Sequence, residues 1–131
     1  MQALEAGLMA MLAADVGVTA ALGAPPRVAG GGEERPAYPY LEIVRHSMEE
    51  AGSSSGPASV HVLDLGVAAR AAGREGARDA LEAMRFLLTT QRPELGGYMC
   101  VLMAPLFGGV LRTAPVQWRG VLRVKALVEP A

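Results

Sequence analysis

Cysteine, histidine and aromatic residues are scarce in this chain, and each shortage closes a class of function. A single cysteine, Cys100, rules out an intramolecular disulfide framework and fits folding in a reducing compartment. Two histidines, His46 and His61, fall short of the roughly four ligands that zinc requires in tight geometry. Aromatic residues make up 5% of the chain, so the core has to be built from Leu, Val, Ala and Met. No run approaches the roughly 20 apolar residues of a membrane span. The apolar N-terminal stretch lacks a basic n-region and is interrupted by Glu5, so a soluble chain with no secretory signal and no membrane partner is expected. An excess of one charge is missing as well. Twelve Lys and Arg against thirteen Asp and Glu give a net charge of -1, which supplies no global basic field for nucleic acid.

What is present is a globular composition, 51% hydrophobic and 19% charged over 131 residues. A chain of this size forms one domain and buries about two-thirds of its unfolded surface. No internal repeat or composition shift divides it, so residues 1–131 are read as a single domain.

Hydrophobic spacing then places the elements. Leu4, Leu8, Met11 and Leu12 fall on one face of a helix over about Gln2 to Ala14. Asp15 is positioned to cap a second short helix, Val16 to Leu22, which Gly23 ends. Arg27 to Ala29 is a short extended piece, and residues 30–36 form a loop without the Lys or Ser/Thr of a phosphate-binding motif. Tyr38 to His46 and Val60 to Leu65 have strand character. In the first, strict alternation puts Leu41, Ile43 and Arg45 on one face and Tyr40, Glu42, Val44 and His46 on the other. Arg74 to Thr90 carries the clearest helical stripe, Ala77, Ala80, Leu81, Met84, Leu87 and Leu88. Tyr98 to Leu106 is an apolar strand broken by Pro105. The last strand runs from about Val116 to Val128, with Trp118, Leu122, Val124, Ala126 and Val128 on one face. This order predicts an α+β fold, a mostly antiparallel sheet of four or five strands with helices packed on one face.

The connection between the first two strands is the anomaly. Met48 to Pro57 is long, acidic at its start and rich in Gly and Ser, where a hairpin needs only two residues. Long loops in compact domains tend to be functional or disordered. Glu49, Glu50, Ser53, Ser54 and Ser55 are therefore candidate interface residues.

Catalytic readings fail one by one. In a hairpin, His46 and His61 come together, but Glu42 or Asp64 would have to complete a metal site, and two partly exposed strand histidines are the expectation. Cys100 sits in an apolar strand without a local base or electropositive setting and reads as a core residue. Ser53 to Ser55 have no fixed base, and no carboxylate spacing suggests an acid–base pair. No cofactor, metal or catalytic residue is assigned. Arg119, Arg123 and Lys125 alternate along the last strand as a short basic row. A solvated sheet face is the default reading of this row; set against Glu33, Glu34, Glu49 and Glu50, placed in loops elsewhere, a head-to-tail contact between copies is the sharper alternative.

The whole chain resembles the tail terminator, or tail completion, proteins of long-tailed phages and gene transfer agents. The resemblance runs from the N-terminal helix into Asp15-Val16-Gly17-Val18-Thr19-Ala20-Ala21-Leu22-Gly23. It continues through Tyr38-Pro39-Tyr40-Leu41-Glu42-Ile43, a polar hairpin, His61-Val62-Leu63-Asp64-Leu65 and the helix from Arg74 to Leu88. It closes on Trp118-Arg119-Gly120-Val121-Leu122-Arg123-Val124. The chain departs from the family pattern at Gly66-Val67-Ala68-Ala69, where aromatics are often found. The resemblance implies a non-enzymatic virion protein assembled in the host cytoplasm. It implies a homohexameric ring that caps the tail tube, ends its polymerisation and joins the head connector or stopper protein. It further implies that DNA passes through the lumen without specific binding, and that the hairpin loop meets the tube or lines the ring. The alternatives are a head-completion or stopper connector protein, and a small ligand-binding α+β domain.

Overall fold

The computed structural model describes residues 2–23, 26–29, 37–52, 56–70, 73–115 and 117–131. The expected loop at 30–36, with Glu33 and Glu34, and the candidate serines Ser53, Ser54 and Ser55 lie outside the described residues. The elements in chain order are α1 (Gln2–Ala14), α2 (Val16–Leu22), β1 (Tyr40–Glu50), β2 (Ser59–Arg70), α3 (Arg74–Thr90), β3 (Tyr98–Ala114) and β4 (Gln117–Pro130). The four strands make one antiparallel sheet in the order β1-β2-β4-β3, with α3 as the crossover between its two hairpins. The α+β architecture expected from sequence is therefore observed, with four strands.

One face of the sheet is covered and the other is open. Leu4, Leu8 and Leu12 of α1, Val18 and Leu22 of α2, and the full α3 stripe are buried. They pack on Leu63, Leu65 and Val67 of β2 and on Leu122, Val124, Ala126 and Val128 of β4. Each fully buried leucine contributes about 1.5–3 kcal/mol relative to exposure. The sharp turn between α1 and α2, 84°, follows from Asp15. Its carboxylate accepts the Val18 N–H at 3.0 Å, ending one helix and starting the next. No single helix among the described residues is long and apolar enough to cross a membrane.

The strands outrun their sequence signals. β1 reaches Glu50, and Glu49 and Glu50 pair with Val60 and Ser59. These two residues are thus strand residues and not, as expected from composition, part of a loop, because β2 supplies a partner for every position up to Ser59. β2 continues past Leu65 to Arg70, paired with β4 throughout and with β1 as far as Ala68. β3 passes through Pro105, which an edge strand tolerates, and absorbs register shifts at Cys100/Leu102, Pro105/Phe107 and Arg112/Ala114.

A register shift between Ile43 and Arg45 overturns the alternation expected in β1. Val44 is the extra residue, so Arg45 comes opposite Asp64 on the open face, and His46 comes opposite Leu63 on the covered face. Gly66 makes room for this: a Cβ there would lie 2.7 Å from the Val44 Cγ2.

Gly7 allows a second close approach. A Cβ at this mid-helix position would sit 2.6 Å from the Glu94 carbonyl oxygen and 2.7 Å from the Leu95 Cδ2. Helix propensity alone favours Gly→Ala by about 1 kcal/mol. The backbone clash opposes it, and Gly7→Ala is expected to destabilise the fold by about 1–3 kcal/mol in chemical denaturation. A stabilised variant would show that α1 does not pack as described.

Candidate assembly surface

The bulge in β1 brings three elements into one polar chain beneath the sheet. Glu5 of α1 is 2.7 Å from the His46 Nδ1. The His46 Nε2 is 2.8 Å from the His61 Nδ1, and the His61 Nε2 is 2.8 Å from the Ser59 Oγ. The two histidines expected as partly exposed strand residues are instead enclosed: His61 has no exposure, and the His46 side chain retains 10%. The hairpin reading brought His46 and His61 together, but Glu5, 41 residues away on α1, left no trace in the sequence. With the His46 Nδ1–H donating to Glu5, the contact between the two imidazoles has room for one proton. A second would set two N–H groups head-on across 2.8 Å. Burial, and then the His46 charge, hold the His61 pKa below its ordinary value. The arrangement is a satisfied buried network that ties α1 to β1 and β2. Among the described residues, no group of three or more His, Cys, Asp or Glu side chains is placed to hold a metal ion. Cys100 is buried, as expected for a core residue, and burial raises its thiol pKa.

The open face carries the basic row, and most of its charge is answered within the chain. Arg123 donates to both carboxylate oxygens of Asp64, at 2.7 and 3.0 Å, across the β2–β4 pair. That bond, more than any other influence, lowers the Asp64 pKa. Arg123 also lies 4.9 Å over the Phe107 ring. Arg119 approaches Glu42 at 2.6 Å as an ion pair without an aligned hydrogen bond. Lys125, the third member of the row, is exposed. Between these charges the same face presents Leu102, Phe107 and Leu111, each 42–55% exposed, on strand positions that pair with Leu127, Arg123 and Arg119. Exposed apolar groups gathered on one face mark an interaction surface more often than scattered ones do.

The two ends of the sheet differ in sign. At the end where β2 finishes and β4 starts, a cavity of about 630 Å³ is lined by Tyr38, Tyr40, Arg70, Trp118 and Arg119 among others. Arg70 lies 5.4 Å over the Tyr38 ring, and Arg74 and Arg112 lie 5.3 and 5.9 Å from the Trp118 ring. Sequence reasoning missed this cluster, since its arginines come from β2, α3 and β3 and only the ladder gathers them. At the opposite end, exposed Glu49 and Glu50 stand at the finish of β1, near Glu129 of β4.

Residues 6–129 match the family described as tail completion protein gp17. Among solved structures, a chain in the virion of a native gene transfer agent particle is similar, with a TM-score of 0.85 and 25% identity. The match covers 98% of this chain and 96% of that one. No curated protein matches.

The histidine network generates a pH prediction. His61 is neutral when folded and binds a proton more readily when unfolded. Its contribution to stability is therefore complete above about pH 6.5 and is lost as pH falls below it. Unfolding free energy should fall by up to about 1.4 kcal/mol per pH unit in that range. His61→Gln should lose one proton's worth of that slope in denaturation curves at stepped pH. An unchanged slope would place the sensitivity elsewhere.

Proposed function

The chain belongs to the family of tail completion protein gp17, and from that premise we propose that it is the tail terminator of a phage-like particle. It is a structural protein of the virion tail. In this reading, copies form a homohexameric ring on the finished tail tube, stop its polymerisation and present a surface to the head connector or stopper protein. DNA passes through the lumen without being held, which a chain of net charge -1 suits, because a strongly basic channel would retain the phosphate backbone.

The observation that carries the reading is the family match over residues 6–129, nearly the full length of the chain. The similar chain in the gene transfer agent virion supports it, since the likeness extends over both chains almost end to end. The open sheet face supports it as well, being one-sided and partly apolar as a surface held against another protein would be. Assembly contacts and no catalysis are then the role of the candidate residues. Glu49 and Glu50, with Ser53, Ser54 and Ser55, form the docking element, and Arg119, Arg123 and Lys125 belong to the sheet face a neighbour meets.

Particles made without this protein should carry tails of uncontrolled length and unattached heads in negative-stain electron microscopy, and supplying the wild-type chain should restore both. A chain lacking Gly52 to Gly56 should keep its fold by circular dichroism yet fail to restore head joining. Normal tails with heads attached in the complete absence of the protein would overturn the reading.

A further inference from the structure

The signs at the two ends of the sheet are complementary, and they are far apart. Twelve residues of β2 span about 35–40 Å between them. At one end Arg70, Arg74 and Arg112 have no carboxylate partner among the described residues, and Glu75 is the nearby acid at the start of α3. At the other end Glu49, Glu50 and Glu129 have no cationic partner among the described residues, and the cations on the neighbouring strand positions are Arg45 of β1 and Lys125 of β4. A chain this size cannot bend its own sheet so that these ends meet. A second copy can bring them together.

We propose that the Glu49–Glu50 end of β1 in one copy docks in the arginine-lined cavity of the next copy. This deepens the ring reading and rests on it. The cavity, about 630 Å³, has the volume of a site that takes several side chains. Its small and aromatic walls, Ala68, Ala69, Tyr38 and Tyr40, offer contact to the stems of the two glutamates, while Arg70 meets their carboxylates. The occupant is a copy of the same chain because the matching acidic tip is present once per cavity, at the far end of every subunit. A contact between two different surfaces of identical subunits is heterologous; repeated, it gives a ring where its rotation closes and an open filament where it does not, and the ring reading requires the closing case. Arg123, already answered by Asp64, ties β2 to β4 between donor end and acceptor end, and Arg119, held by Glu42, lines the acceptor cavity itself. Charge pairing of this kind sets register and encounter more than total affinity.

The test uses two surface variants of the full chain. Glu49→Arg with Glu50→Arg gives a copy that is basic at both ends. Arg70→Glu with Arg74→Glu gives one that is acidic at both, and a glutamate at the start of α3 is compatible with that helix. Sedimentation velocity and native mass measurement in about 50 mM salt, where screening is weak, read the assembly. Each variant alone should associate more than about tenfold more weakly than the wild type, with its circular dichroism unchanged, and an equimolar mixture of the two should recover ring-sized species. A variant that assembles by itself as the wild type does would overturn this docking and leave the ring intact. A mixture that fails to recover, from two folded variants that each lost assembly, would overturn it too. Wild type, variants and mixture all remaining monomeric would overturn both the docking and the self-assembly it rests on.

Discussion

β2 is hydrogen-bonded along both edges and covered by helices on one face, and it is buried from Leu63 to Ala69 without a break. Such a strand has little freedom in the side chains it can carry. Leu63, Leu65 and Val67 face the helices, so the alternate positions face the open side and must be small or paired. Asp64 is paired by Arg123, and Gly66 and Ala68 are small. From this one strand the neighbouring strands take their registers. Glu42 and the bulged Val44 lie over Gly66, Arg119 reaches Glu42 across it, and His46 is turned under the sheet to meet His61.

The parts of the fold that were legible in sequence are those with a period. The α3 stripe is buried residue for residue, and the apolar positions of β4 from Leu122 to Val128 face the helices as their alternation requires. Asp15 capped the helix it precedes. What failed were breaks in period. Nothing in Ile43-Val44-Arg45 announces a bulge, because its cause is the missing Cβ of Gly66 on another strand. Pro105 reads as a stop, but the missing N–H costs nothing on the outer side of an edge strand. The acidic end of β1 looked like loop because composition cannot show that β2 lies alongside it.

The candidate surface was legible in outline and not in detail. Charge segregation along the chain pointed to contact between copies. The basic residues chosen from their alternation, Arg119 and Arg123, have intramolecular partners whose positions are remote in sequence. The cations without a carboxylate partner among the described residues lie instead at element ends, where β2 runs out, α3 begins and β3 turns into β4, the last of them, Arg112, donating to the Ala114 and Pro115 carbonyls. Positions at element ends have no periodicity of their own, so only the assembled ladder shows them side by side. The histidine network follows the same rule: His46, Ser59 and His61 are aligned by the β1–β2 register, and Glu5 is brought to them by the packing of α1.

β3 forms an edge of the sheet for 17 residues, a length that would ordinarily invite a further strand to add on. Its ladder is interrupted at three places and contains Pro105, so no straight row of donors and acceptors faces outward. Strand addition at such an edge finds neither register nor continuity. For a chain proposed to halt the growth of a polymer, the same irregularities keep this edge from extending its own sheet.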